Sequence, residues 1–193
     1  MKENSFLSVE EINNIGFRSL GENVLISKFA RFYSPEKMEI GSNVRIDDFC
    51  LLSGKIVLKD YIHISAYVAL YGGDEGIYLE DFSGISAKSI IYAVSDDFSG
   101  GEYMANATVP LENRNVIEKS VTLGQYVQIG AGSIILPGVV VEEGACTGSM
   151  TLVNKSLEKW GIYVGTPCRF LKTRKKISDK LYNEIKNANS QTV

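Results

Sequence analysis

Apolar residues recur along this chain in triplets, two inward-type residues around a more variable middle one, about every six residues. The triplets stand at 24–26, 38–40, 44–46, 50–52, 56–58, 62–64 and 68–70; after a three-residue slip they continue at 77–79, 83–85 and 89–91. The register breaks there and resumes at 121–123, 127–129, 133–135, 139–141, 145–147 and 151–153. Each triplet fits a very short strand whose outer residues face a core and whose middle residue faces out. The residues between them, such as Gly-Ser-Asn, Asp-Asp-Phe and Gly-Ala-Gly, have turn chemistry. Strands this short cannot pair usefully with their sequence neighbours, but a coil of three can stack on the next coil. Ile40 and Leu58, like Leu123 and Val141, lie 18 residues apart, which places them in neighbouring coils of one parallel sheet. The expected fold is all-β, a hexapeptide-repeat parallel β-helix. A β-sandwich, with longer strands and turns every 8 to 12 residues or so, fits less well.

Three further segments complete the expected organisation. Ser8 with Glu11 reads as a capping box opening a short helix that ends near Gly16, within an N-terminal cap over 1–20. The solenoid is expected over 21–172, and a C-terminal helix over 173–193, with a helical face at 177, 181, 182 and 185. Each helix would cover an open end of the stack. The break in register, about 92–120, is long enough to be a functional loop, and it carries Asp96, Asp97, Tyr103 and Arg114.

With 193 residues, 45% of them hydrophobic, the chain can bury the core of one domain. Its 20 Lys and Arg against 23 Asp and Glu give no basic excess for nucleic acid. No apolar run has the length of a membrane span, and the first residues lack a secretory pattern, so a cytoplasmic protein is expected. The three cysteines, Cys50, Cys146 and Cys168, have no metal-ligand or disulfide spacing. Cys50 and Cys146 are expected as small buried residues.

The hexads, the loop between coils, the run from Val127 to Ser156 and the terminal Gly-Thr-Pro-Cys-Arg at 165–169 together resemble the hexapeptide-repeat acyltransferases, in particular the sugar O-acetyltransferases of the galactoside and maltose type. The resemblance covers roughly 40–172. It implies a left-handed helix, a homotrimer, acetyl-CoA in a groove between subunits, no metal, and a loop histidine as general base on a sugar hydroxyl. Carried over by position, the cofactor groove would include Ala131, Ser149, Asn154, Lys155, Arg169 and Lys172. Tight-turn amides suit the pantetheine arm, and basic side chains suit the phosphates. Acceptor contacts are expected at Asp74, Tyr71, Tyr103 and Arg114.

At the catalytic position the chain departs from the family. Aspartates 96 and 97 stand where the family has histidine and proline. The chain's single histidine, His63, occupies an outward middle position. Two schemes follow. In one, His63 is the base and Asp96 or Asp97 orients it. In the other the acceptor is an amino sugar whose free amine attacks unaided, and the aspartates bind it. The expected activity is acetyl transfer to a sugar hydroxyl in surface-polysaccharide synthesis, with N-acetylation of a nucleotide-linked amino sugar or a non-catalytic trimeric scaffold as alternatives. One histidine per chain excludes a three-histidine zinc site shared between two subunits.

Overall fold

The computed structural model describes residues 5–178, 180–182, 184 and 185. The short strands stack into three parallel sheets that enclose one core. The first sheet runs through Ser19–Leu20, Met38–Ile40, Ile56–Leu58, Ile77–Leu79, Val121–Leu123 and Val140–Val141. The second begins with Leu25–Ile26, Arg45–Ile46, His63–Ile64 and Gly84–Ile85 and continues through Gln128–Ile129, Cys146–Thr147 and Gly161–Val164. The third contains Arg31–Tyr33, Leu51–Ser53, Ala69–Tyr71, Ile90–Tyr92, Ile134–Ile135 and Leu152–Val153. Within each sheet the inward positions are fully buried: Ile40, Leu58, Leu79, Leu123 and Val141 in the first, Ile46, Ile64, Ile85 and Ile129 in the second. Small polar residues fill the equivalent inward places at Ser83, Ser89, Ser133, Thr147 and Thr151, all buried. Ser133 and Thr151 use their hydroxyls on turn carbonyls, with Ser133 Oγ donating to the Gly130 carbonyl at 2.7 Å.

Coil stacking brings backbones close enough to dictate composition at the turns. A Cβ on Gly130 would run into the Gly148 carbonyl carbon of the next coil, so this pair of glycines has a structural reason to be there. The left-handed corner positions are different. Asn23 and Asn43 open a column at φ near +55° to +58°, as asparagine can, but Tyr61, Phe82, Tyr126 and Trp160 continue it at the same φ. The first three rings stack at 4.6 and 5.6 Å between centroids and Trp160 lies tilted against Tyr126 at 6.1 Å, which offsets the cost of the backbone.

The ends and the break depart from the sequence expectation in four ways. The helix Val9–Asn13 has both hydrogen bonds of its capping box, but Ser19–Leu20 already pairs with Glu39–Ile40, so the first coil starts inside the stretch expected as cap. The inserted segment is rooted in an antiparallel hairpin, Val94–Asp96 against Val116–Glu118. After the cis Thr166–Pro167 bond the chain does not leave for a helix; Arg169–Thr173 first folds back antiparallel on Gly161–Val164. Cys146 sits at an outward middle position and is only half-buried, because the triplet's inward places are Ala145 and Thr147. The expected C-terminal helix is helical at 180–182, 184 and 185, and its remainder lies outside the described residues.

Candidate active site

The outward middle residues of the second sheet form a column that the register fixes: Leu25, Arg45, His63, Gly84, Gln128, Cys146 and Ile162. His63 is about half exposed, and its Nε2 meets Asp47 Oδ2 at 2.7 Å. Asp47 Oδ1 also accepts from Arg45 Nε at 2.7 Å. Burial by itself raises the Asp47 pKa, but the hydrogen bonds from His63 and Arg45 outweigh it and hold the carboxyl below its ordinary value. An ionised Asp47 can only accept, so the hydrogen of this contact sits on His63 Nε2.

A cleft of about 220 Å³ opens beside His63. Tyr61 and Phe82 form one side, Ser65 and Ser86 belong to the other, and Gly84 with Gln128 completes it. Of these residues the sequence singles out only His63. Gly84 could have been found as the one glycine at an outward middle position of a triplet; Ser86 carries no local signal.

The hairpin holds the loop carboxylates. Asp96 Oδ1 accepts from both Arg114 Nε at 3.0 Å and Arg114 Nη2 at 2.8 Å, and both side chains are more than four-fifths buried. Asp97 accepts from the Ser99 amide and from Asn115 Nδ2, and these bonds with Ser99 and Asn115 keep it below its ordinary pKa. Asp96 and Asp97 therefore have different partners. Among the described residues, the carboxylate that meets His63 within the chain is Asp47, not either loop aspartate. Tyr71 stacks on Tyr92 at 5.2 Å, Asp74 pairs with Lys37 at 2.6 Å, and Tyr103 is exposed on the loop.

The residues expected to bind cofactor gather toward the last coils. The Met150 amide, next to Ser149, donates to the Ala131 carbonyl, and Thr166 Oγ1 donates to the Met150 carbonyl. Cys168, next to Arg169, donates its amide to the Leu152 carbonyl, near Asn154 and Lys155. Arg169 and Lys172 are exposed on the returning strand. Two of the thiols are poor nucleophiles: burial pushes Cys50 up to about 11 and raises Cys146 as well. Among the described residues no cluster of His, Cys, Asp and Glu could hold a metal ion, and no helix is long and apolar enough to cross a membrane.

A scan against protein-family models finds no match. The chain is 39% identical over 175 residues to dTDP-4-amino-4,6-dideoxy-D-glucose acyltransferase of Escherichia coli, a match covering 89% of this chain and 90% of the relative. It is 23% identical over 142 residues to a putative lipopolysaccharide biosynthesis O-acetyl transferase of Escherichia coli K12, covering 71% and 69% of the two chains. Among solved structures it resembles AntD, an N-acyltransferase from Bacillus cereus, at 50% identity and a TM-score of 0.92, over 96% of this chain and 98% of that one. AntD was crystallised with dTDP-4-amino-4,6-dideoxyglucose and coenzyme A, and with dTDP and 3-hydroxybutyryl-CoA. It was also crystallised with a serine or an aspartate, ten positions apart in its chain, replaced. The coils, the loop between them and this agreement along nearly the whole chain have one meaning: the protein is an acyltransferase, a member of the hexapeptide-repeat family to which the dTDP-amino-sugar enzymes belong.

Proposed function

We propose that the protein transfers the acyl group of an acyl-CoA thioester to the free amine of a dTDP-linked 4-amino-4,6-dideoxyhexose. The observation that carries the choice of an amine over a hydroxyl is Asp96. The loop position that sugar O-acetyltransferases fill with a base holds a carboxylate clamped by Arg114, with Oδ2 left over to accept a hydrogen bond. A neutral amine attacks a thioester without first losing a proton, whereas a hydroxyl needs a general base worth roughly 10²–10⁴ in rate. Of all serine–aspartate pairs in this sequence, only Ser86 and Asp96 are ten residues apart, the spacing of the residues varied in AntD. Ser86 and Asp96 hold the amine so that its lone pair faces the carbonyl carbon. The C–N bond forms, the C–S bond breaks, and the departing thiolate leaves as the thiol with the amine's surplus proton. The likeness of the chain to enzymes acting on the amino sugar supports the same acceptor here.

The donor groove of this reading comprises Ala131 and Ser149 at the turns and Asn154, Lys155, Arg169 and Lys172 at the rim, the last three supplying charge for phosphates. The left-handed winding is taken from the family. Three copies assemble through the third sheet, whose outward residues Leu51, Ala69, Ile90, Ile134 and Leu152 form an apolar strip from coil to coil. The exposed ring stack of Phe29, Phe49 and Tyr67 adds apolar area at a neighbouring corner.

The test is to incubate the purified protein with the dTDP-linked amino sugar and either acetyl-CoA or 3-hydroxybutyryl-CoA, following thiol release and the product mass. One acyl group per sugar is expected. Turnover with hydroxyl sugars alone, and none with the amine, would overturn the reading.

A further inference from the structure

The cleft beside His63 exists because one side chain is absent from a column that otherwise has them. Gly84 lies in register between His63 and Gln128. Its backbone does not require glycine: its φ is outside the left-handed region, unlike that of Gly132, Gly138 and Gly144. A Cβ there would meet Gln128 Oε1 at 2.8 Å, the far end of a flexible side chain that can move. The glycine therefore keeps space open and does not relieve the backbone.

What borders the space suits a particular kind of ligand. Tyr61 and Phe82, stacked at 4.6 Å, border it on one side. Ser65, Ser86, His63 and Gln128 bring hydroxyl, imidazole and amide groups. Gln128 Nε2 is engaged with the Phe82 carbonyl at 3.1 Å, which leaves Oε1 as the acceptor toward Gly84. Mixed donors and acceptors beside aromatic rings match the hydroxyls and C–H faces of a pyranose. Among the described residues, the carboxylate within hydrogen-bond reach of His63, Asp47, is already shared with Arg45. At about 220 Å³ the cleft falls below the roughly 300–1,000 Å³ of pockets for drug-sized ligands, so it takes one ring and not a whole nucleotide.

We propose that Gly84 is a specificity-determining residue of the acceptor site: the gap between His63 and Gln128 seats the pyranose ring, and the size of the residue at 84 limits the ring substituents that are accepted. The inference rests on the amino-sugar reading above and adds to it a subsite and the residue that sizes it.

The test compares wild type, Gly84→Ala and Gln128→Ala in steady-state assays with the dTDP-linked 4-amino-6-deoxyhexose and with its analogue carrying a 6-hydroxymethyl group. Gly84→Ala is expected to raise the KM for the 6-deoxy acceptor tenfold or more, with the KM for acyl-CoA and the melting temperature unchanged. Gln128→Ala, which widens the cleft, is expected to narrow the preference for the 6-deoxy acceptor at least threefold in kcat/KM. A stable Gly84→Ala enzyme with wild-type acceptor KM would overturn the proposal, and so would a rise confined to the acyl-CoA KM, which would give the cleft to the donor. If Gly84→Ala fails to fold, the Gln128→Ala ratio decides: an unchanged ratio rejects the proposal. Failure of wild type to acylate either amine would reject the amino-sugar reading itself, and this inference with it, whereas wild-type turnover with indifferent variants rejects the inference alone.

Discussion

The second and third sheets are built from the same repeat and bury the same kind of residue inward, yet the middle coils of their outer surfaces differ. The second shows Arg45, His63, Gly84 and Gln128; the third shows Leu51, Ala69, Ile90 and Ile134. Inward positions specify the coil, and the outward middle positions are free to differ from face to face; in the proposed reading one face serves chemistry and another association. Any change that separates the two roles tests this division.

The largest effects belong to the positions the two sheets share. Ile64 in the second sheet and Leu70 in the third are both fully buried. Truncating either to alanine removes packed methyl groups and leaves a cavity, at a cost of about 2–5 kcal/mol. Denaturant unfolding should find the two losses similar. A variant that unfolds like wild type would mean that its sheet is not part of the common core.

On the outer surfaces the expectations diverge. If copies associate through the third sheet as proposed, Ile134→Asp, at a residue 37% exposed, should barely change the far-ultraviolet dichroism but convert the assembly to monomer in light scattering, because a charge would be buried against a second copy. The equivalent change on the second sheet, Gln128→Asp, should leave the mass unchanged. Dissociation by the second and not by the first would reverse the assignment of the faces.

The catalytic division is sharper still. If the acceptor is an amine, His63→Ala should lower kcat less than tenfold, while Asp96→Ala should lower kcat/KM by about tenfold or more through loss of a charge-assisted hydrogen bond. A fall of 10² or more on His63→Ala would restore the histidine as general base, oriented by Asp47.

The inward half of this architecture is legible from the sequence because it depends only on spacing: a period of six fixes which residues face the core, even where Ser83 or Thr151 replaces an aliphatic. The outward half is not, because its partners are a coil apart. His63 finds Asp47 sixteen residues back, and Asp96 finds Arg114 across a hairpin eighteen residues long in sequence. The slip at 72–76 and the insertion shift the later coils against the earlier ones, so the neighbours of Gly84 are 21 residues before it and 44 after it. The aromatic corner is illegible for another reason. Turn chemistry favours Gly or Asn at positive φ, which Asn23 and Asn43 obey, but at Tyr61, Phe82 and Tyr126 ring stacking outweighs local preference.

The smallest expected effect is also the most specific to the second sheet. Asp47 has its pKa lowered by His63 and Arg45 against the opposing effect of burial. A carboxyl with a lower pKa in the folded than in the unfolded chain adds stability above its ordinary value near 3.8 and loses it as the pH falls through the folded value. Arg45 and His63 are each about half exposed, so the gain is under about 1 kcal/mol. Asp47→Asn should therefore be slightly less stable than wild type at neutral pH, and the gap should shrink as the pH falls below about 3.8 and close only under the lower folded value, where both carry an uncharged group. Thermal unfolding across that range measures it. A gap that stays constant into acid would mean that Asp47 acts by packing, and that the imidazole is not held by charge.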